Sequence, residues 1–160
     1  MFIRFYQEKD KEGILKLFES LPEFFTKRAV RNIDLDLTKI KKNKHTCLVC
    51  EKDKKIFGAL IFRKDPMGDR IYEIKWLAVR RDYFRNGVGK SLITSAEKLV
   101  KNDARLIVIY TSNHYFYNGT HKFFEKLGYK KVAIIPDFWD DGDDRVVYWK
   151  RIDPIYRPIY

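Results

Sequence analysis

The chain is poor in the residues that build disulfide-linked or metal-bridged folds, with only two cysteines and three histidines among 160 residues. Cys47 and Cys50 have the C-x-x-C spacing of zinc and redox sites, but the histidines offer no paired spacing for a second set of ligands. Residues three apart on a strand also point to opposite faces. We therefore interpret both cysteines as core residues of a strand, and we expect no metal site.

Long apolar runs and linkers are lacking as well. No segment has the length of apolar sequence that spans a bilayer, and the N-terminal MFIRFYQEKDKEG lacks the apolar core and cleavage site of a signal peptide. We therefore expect no membrane association and, by default, a cytoplasmic location. No Pro, Gly or Ser-rich segment divides the chain, which predicts a single domain over 1–152 and a short C-terminal tail at 153–160.

Positive charge is abundant: 33 Lys and Arg against 22 Asp and Glu give a formal net charge of +11. Such a charge attracts polyanions, but the lysines are spread through the sequence instead of clustering in one arm or helix stripe. A solvated basic surface is therefore favoured over dedicated nucleic-acid binding. A phosphate-rich cofactor would be attracted by the same charge.

Hydrophobic periodicity predicts an α/β chain with the element order β-α-α-β-β-β-α-β-α-β-β. Thr26 is the predicted N-cap of the second helix, Asp53 and Lys54 form the predicted hairpin turn, and Gly128 is the predicted cap of the last helix. In chain order the segments are FIRFYQ, DKEGILKLFESL, TKRAVRNIDLDLTKIKKN, the hairpin HTCLVCEKDKKIFGALIFRK, RIYEIKWLAV, GVGKSLITSAEKLVKN, RLIVIYT, NGTHKFFEKLGY, KVAIIP and RVVYWKRI.

The stretch FRNGVGKS at 84–91 joins a basic turn and two glycines to a helical run. The P-loop pattern needs a glycine five residues before Gly89, where this chain has Phe84, so a nucleoside triphosphate loop is rejected. A helix that begins at Gly87 still leaves its first amides unpaired, and glycines let a phosphate approach the backbone. The stretch is interpreted as an anion site, with an ordinary strand-to-helix connection as the alternative.

Two segments, EIKWLAVRRDYFRNGVGKSLI and NGTHKFFEKLGYKKV, together resemble the GNAT superfamily of acyl-CoA-dependent N-acetyltransferases. The family's phosphate motif R/Q-x-x-G-x-G/A falls on 84–89, and its second signature falls on Asn118 and FEKLGY. Phe84 and Phe124 depart from it, because they replace the family's Arg or Gln and its usual Tyr. The resemblance reaches from the first strand to about Arg151. It implies the GNAT fold, a mixed, mostly antiparallel sheet of about seven strands flanked by about four helices.

The resemblance implies acetyl-CoA as cosubstrate, held largely by backbone groups. Amides of the glycine turn would hold the pyrophosphate, and Leu77 and Val79 would pair with the pantetheine arm. The position of Phe84 acts chiefly through its amide, and Arg85 would replace the lost charge. The expected cofactor-binding residues are Leu77, Ala78, Val79, Arg85, Asn86, Gly87, Val88, Gly89, Lys90, Asn118 and Phe124.

A base is useful for acetyl transfer to a primary amine, because an alkylammonium group has a pKa of about 10.4. Glu73 is the expected base, since several family members carry a catalytic glutamate at this place. Strand alternation would put Glu73, Lys75 and Leu77 on one face, and the alternative is a surface carboxylate paired with Lys75. The Leu77 amide is the expected donor to the thioester oxygen. Phe124 cannot donate a proton, which leaves the general acid open between Tyr117 and Tyr129.

The segment PDFWDDGDDRVVYW at 136–149 concentrates five aspartates in an otherwise basic chain. We expect a loop between the last two strands that attracts a cationic acceptor, with Trp139, Asp140 and Asp141 as substrate-binding residues. The alternative is a solvated turn with Asp-Gly at its tip.

These patterns predict an acetyl-CoA-dependent N-acetyltransferase that acts on a primary amine of a small molecule, peptide or protein, by direct attack with Glu73 as base. The alternative is a catalytically weakened GNAT-fold module that binds acyl-CoA or nucleic acid. The acceptor stays open, as does the choice between a monomer and a homodimer.

Overall fold

The computed structural model describes residues 1–153, so all but Asp153 of the tail expected at 153–160 lies outside the described residues. The expected single domain over 1–152 stays a prediction. The strands are β1 (Phe2–Phe5), β2 (Thr46–Lys52), β3 (Lys55–Lys64), β4 (Ile71–Val79), β5 (Leu106–Ser112), β6 (Lys130–Asp140) and β7 (Asp143–Arg151).

Four α-helices lie between these strands in the predicted order. Thr26 caps the second helix as predicted, because its side chain accepts a hydrogen bond from the Ala29 amide at 3.2 Å. Gly128 has a φ of 85°, the left-handed conformation that ends a helix. The helices are α1 (Lys11–Glu19), α2 (Lys27–Thr38), α3 (Val88–Val100) and α4 (Asn118–Lys126).

The seven strands have the sheet order β1-β2-β3-β4-β5-β7-β6. The pairs β1–β2, β2–β3, β5–β7 and β6–β7 are antiparallel. The predicted fold class, with seven strands and four helices, is confirmed. By its internal contacts the chain divides into a first unit, residues 1–63 and 74–96, and a second unit, which takes the remainder.

The first unit has an apolar core built by α1, α2 and the central strands. Phe18 and Ile33 of the helices are fully buried in it, as are Val49 and Ile61 of the strands. Cys47 and Cys50 are buried free thiols, which confirms the strand-core interpretation. Among residues 1–153, no group of three or more His, Cys, Asp or Glu side chains is placed to hold a metal ion.

Close packing at Gly58 fixes α3 on β3 in the first unit. A Cβ atom at Gly58 would lie 2.9 Å from Cγ1 of Val88 and 3.0 Å from Cδ1 of Leu92. Such distances are shorter than real carbon contacts, so a side chain at Gly58 would push the start of α3 away from the strand. The absence of a side chain therefore positions the N-terminus of α3.

The second unit has a helix-covered part and an exposed edge. Tyr148 of β7 is fully buried, and its ring lies 5.7 Å from that of Phe124 on α4. Every residue of β6, the last strand of the sheet, is exposed. The expected acidic loop is wrong, because β6 runs to Asp140 and β7 begins at Asp143, leaving Asp141 and Gly142 as the turn.

Candidate active site

The glycine turn between β4 and α3 has the geometry of a helix-terminal anion site. Arg85 and Gly87 both adopt left-handed backbone conformations, with φ of 64° and 80°. The amide of Ser91 donates to the Gly87 carbonyl at 2.9 Å, which closes the first helical turn. The amides of α3 that precede Ser91 have no intrahelical acceptor, and the positive end of the helix dipole lies behind them. These amides can bind a phosphate group without a side-chain charge.

The turn is held in place by local bonds and aromatic contacts. The Phe84 amide donates to the Arg81 carbonyl at 3.1 Å, and the expected role of this amide at a phosphate stays a prediction. The Asn86 amide donates to the Tyr83 carbonyl at 3.3 Å, and the Tyr83 ring packs on Phe57 with centroids 4.3 Å apart. The turn is therefore a fixed element of the first unit.

Positive side chains flank the turn. Arg85 and Lys90 are exposed, and in the part of the chain that the structure describes neither forms an ion pair or a hydrogen bond through its side chain. Both cations therefore add positive potential beside the α3 amides. This arrangement favours an anionic ligand over an ordinary strand-to-helix connection.

Strand β4 carries Glu73 and Leu77, the residues that the sequence singled out for catalysis. Glu73 is only 8% exposed, so the alternative of a surface carboxylate is wrong. The Lys75 ammonium lies 2.6 Å from Oδ2 of Asp36, and the Trp76 indole donates to the same oxygen at 2.8 Å. Lys75 and Trp76 are adjacent but contact the same oxygen of Asp36. Adjacent side chains of a regular strand point to opposite faces, so strict alternation fails at 75–76. A shared face for Glu73, Lys75 and Leu77 therefore cannot be derived from alternation.

Asp36 of α2 is a buried carboxylate that sequence reasoning missed. It accepts hydrogen bonds from Lys39 at 2.8 Å as well as from Lys75 and Trp76. Burial opposes its ionisation, but the three hydrogen bonds outweigh burial and lower the pKa of Asp36 to about 2. Asp36 therefore ties α2 to β4 as an anion. No signal in the sequence distinguishes it from Asp34, the other aspartate of α2.

The aspartates of the β6–β7 hairpin mainly bond the hairpin and β5. Oδ1 of Asp137 accepts a hydrogen bond from the Gly142 amide at 2.7 Å. Oδ1 of Asp140 accepts one from the Asp141 amide at 2.9 Å. Asp144 accepts the Asn113 side-chain amide at 2.6 Å. Asp143 accepts the Ser112 hydroxyl, and the Asp141 side chain has no ion pair or hydrogen bond within residues 1–153. Asp141 is therefore the aspartate most available to an external cation.

The aromatic residues of the same hairpin already surround a cation of the chain. The Arg145 guanidinium lies 3.4 Å from the ring centroid of Tyr110, 4.5 Å from Phe138 and 5.8 Å from Trp139. The Trp139 indole donates to the Thr111 carbonyl at 3.2 Å. Trp139, which is an expected acceptor-binding residue, thus lies with Phe138 against Arg145, a residue that sequence reasoning missed.

Asn118, the first residue of α4, lines a cavity of about 450 Å³ in the second unit. His121 in this cavity lies 2.9 Å from the Tyr148 hydroxyl through Nδ1 and 2.9 Å from the Ser112 carbonyl through Nε2. A carbonyl can only accept, so Nε2 carries a proton. Burial lowers the pKa of His121, which favours the neutral ring, and the Tyr148 hydroxyl also donates to Glu125 at 3.3 Å.

Phe124 and Tyr129 are core residues. Phe124 is 4% exposed, and its ring lies 6.1 Å from that of Tyr129. The Tyr129 hydroxyl donates to Glu97 at 3.0 Å, and burial raises the pKa of Tyr129. Tyr129 is thus a poor general acid, and a role of Phe124 in cofactor binding stays a prediction.

A protein-family model described as acetyltransferase (GNAT) domain matches residues 43–131, more than half of the chain. The chain belongs to the GNAT acetyltransferase family. The matched residues include β4, the glycine turn, α3 and α4, which contain most of the candidate site. A GNAT-family protein from Desulfovibrio desulfuricans has a similar solved structure, with a TM-score of 0.88, 22% sequence identity, and coverage of 95% of this chain and 99% of that chain.

Two relatives support the same family assignment. An N-alpha-acetyltransferase of Saccharolobus solfataricus is 31% identical over 68 residues, which cover 42% of this chain and 41% of that protein. An S-(2-succino)cysteine N-acetyltransferase of Bacillus subtilis is 28% identical over 104 residues, which cover 60% of this chain and 63% of that protein. The chain thus spans less than two thirds of the length of either relative.

Within residues 1–153, no helix combines the length and the apolar character that crossing a membrane requires.

Proposed function

We propose that this GNAT protein transfers the acetyl group of acetyl-CoA to a primary amine. The observation that carries the proposal is the glycine turn, in which left-handed Arg85 and Gly87 lead into the unpaired amides of α3. Acetyl-CoA supplies an activated thioester and a diphosphate that matches such a site. Family membership and the two N-acetyltransferase relatives support the reaction class.

The cosubstrate is held chiefly by backbone groups. The amides at the start of α3 bind the diphosphate, with Arg85 and Lys90 adding positive charge. The backbone of β4 binds the pantetheine arm through Leu77 and Val79, and the Leu77 amide donates to the thioester oxygen. A positioned donor of this kind typically lowers the barrier by about 3 kcal/mol. The residues assigned to the cosubstrate are Leu77, Ala78, Val79, Arg85, Asn86, Gly87, Val88, Gly89, Lys90, Asn118 and Phe124.

Glu73 accepts the proton of the attacking ammonium group. Its burial supports this role, because a carboxylate shielded from water interacts more strongly with a neighbouring ammonium than an exposed one does. The new N–C bond then forms as the C–S bond breaks, and the sulfur leaves with the electron pair. A thiol with a pKa of about 8.5 leaves readily, so the reaction does not depend on a strong general acid.

The hairpin attracts the acceptor. We assign Asp140, Asp141 and Trp139 to acceptor binding, with Asp141 as the principal carboxylate because the hairpin does not use it. A carboxylate near a cationic amine raises its local concentration, and the effect weakens as salt increases.

A thiol-release assay tests the proposal. The protein is mixed with acetyl-CoA and a library of primary amines, and free CoA thiol and acetylated amine are measured together. We expect equal amounts of both products for at least one acceptor. Tight CoA binding without turnover across the library would contradict the proposal and favour the weakened binding module.

A further inference from the structure

Arg145 lies on the face of β7 that α4 does not cover. Val146 and Tyr148 line the cavity that also contains His121 of α4, so these two side chains point toward the helix. Successive side chains of a strand alternate between faces, which places Arg145 on the opposite face. In the β5–β7 pair Arg145 is opposite Ser112, the last residue of β5. The side chain therefore stands at the carboxyl end of β5.

Three rings from two strands hold the Arg145 guanidinium. Tyr110 of β5 lies against it at 3.4 Å, and Phe138 and Trp139 of β6 lie at 4.5 and 5.8 Å. A guanidinium stacks well on aromatic faces while its N–H groups stay in the plane of the group. Stacking therefore fixes the orientation of the guanidinium but satisfies none of its hydrogen bonds.

Arg145 lacks an anionic partner although five aspartates are close in sequence. Within the described residues the Arg145 side chain makes no hydrogen bond and no ion pair, and its Nε is buried without an acceptor. Four of the aspartates instead accept hydrogen bonds from the hairpin and the end of β5, as described above. A buried donor without an acceptor destabilises a fold. A fixed guanidinium with unmet donors is the arrangement that binds a planar anion.

We propose that Arg145 binds a carboxylate of the acceptor, so that the acceptor is an amino-acid-like compound with both an ammonium group and a carboxylate. This inference rests on the proposed function. A carboxylate matches the planar N–H pairs of a guanidinium, and a monoanion meets less repulsion from the neighbouring aspartates than a phosphate dianion would. Arg145 takes no part in bond making; it is a positioning residue that selects the acceptor.

The kinetic test compares free L-amino acids with their α-amides as acceptors. The amides keep the ammonium group but lack the carboxylate. We expect wild type to prefer the acid over the amide by about 10- to 100-fold in kcat/KM, mainly through KM. Arg145→Met should abolish this preference, and Arg145→Lys should restore part of it because a lysine keeps the charge without the planar fork. Arg151→Met, at the other end of β7, is the matched control and should keep the preference.

A binding test separates failure of this inference from failure of the proposed function. Binding of N-acetyl-L-amino acids, which keep the carboxylate but carry no ammonium group, is measured by calorimetry for wild type and Arg145→Lys. We expect about a tenfold or greater loss of affinity in the variant, whether or not turnover is observed. Acetylation of amides and acids at equal rates, or binding that Arg145 variants leave unchanged, would overturn the inference while leaving acetyl transfer intact. Absence of N-acetyl-amino acid binding to wild type would also overturn it.

Discussion

The two units of the chain carry proposed sites of different kinds. In the first unit the proposed anion site consists mainly of amides at the start of α3, and its conformation is set by the left-handed backbone of Arg85 and Gly87. In the second unit the polar surface of the β6–β7 hairpin consists of side chains, with Arg145 stacked among three rings. Backbone amides suit the diphosphate of the cosubstrate, which is the same for every acceptor. Side chains suit the acceptor, because its chemical groups vary from one substrate to another.

The largest effect is expected from a negative charge in the backbone site. Gly89→Glu puts a carboxylate next to the α3 amides, and two like charges 4 Å apart near a protein surface repel by about 4 kcal/mol. CoA affinity should fall by roughly a thousandfold in a calorimetric titration. Gly13→Glu, an exposed position in the first turn of α1, is the matched control. Full CoA affinity in Gly89→Glu would remove the phosphate site from the first unit.

Glu73→Gln should have the next largest effect, on turnover and not on CoA binding. The amide keeps the shape of the side chain but cannot accept the ammonium proton, and loss of a general base typically lowers the rate about a hundredfold. The acidic limb of the pH dependence of kcat/KM should disappear in the variant. An unchanged rate and an unchanged pH profile would show that Glu73 is a structural carboxylate of β4.

Acid should destabilise the protein through Asp36 of the first unit. Its pKa is lowered from 3.8 to about 2 in the folded protein, so ionised Asp36 contributes stability above the unfolded pKa and loses it as the pH falls from about 4 to 2. The expected loss is about 2 kcal/mol. Buried His45 lowers the stability at higher pH than Asp36 does. Its pKa is lowered from 6.5 to about 4, so stability is lost as the pH falls from about 6.5 to 4.

Urea unfolding at pH 2, 4 and 7 measures the Asp36 contribution. Asp36→Asn should be less stable at pH 7, because it removes the anion that Lys75 contacts, and its stability should depend less on pH between 4 and 2. Equal acid dependence in wild type and variant would contradict the assignment.

The smallest effect is expected at the acidic tip of the second unit. Asp140→Asn with Asp141→Asn should raise KM for a cationic amine a few-fold at low salt, with little change in KM for acetyl-CoA. The effect should diminish at higher ionic strength. An amine KM that is unchanged at low salt would make the tip a solvated turn and restrict acceptor recognition to other groups.

Sequence reasoning succeeded where structure depends on local chemistry. The Thr26 cap, the hairpin turn at Asp53 and Lys54, and the left-handed cap at Gly128 each follow from a few adjacent residues. The glycine turn could be recognised for the same reason, since all of its donors lie within one short stretch.

Sequence reasoning failed where distant residues meet. The acidic segment was expected to be a loop because Asp, Gly and Pro favour turns, yet β6 extends through it with an irregular register between Ile135 and Asp140, and Asp137 adopts a left-handed φ of 49°. The contacts of Arg145 with three aromatic rings depend on the register of β5 and β7 and on the position of β6. No local pattern encodes such a register.

Thermal unfolding with acetyl-CoA, CoA and ATP tests the central claim most directly. A ligand that binds only the folded state raises Tm in proportion to its affinity and concentration, and a ligand at 100 times its Kd adds about 2.7 kcal/mol. We expect acetyl-CoA and CoA to raise the Tm of wild type by several degrees, ATP to raise it far less, and Gly89→Glu to lose the response to both CoA compounds. Equal stabilisation by ATP, or no stabilisation by acetyl-CoA, would contradict the assignment of the glycine turn as an acetyl-CoA site.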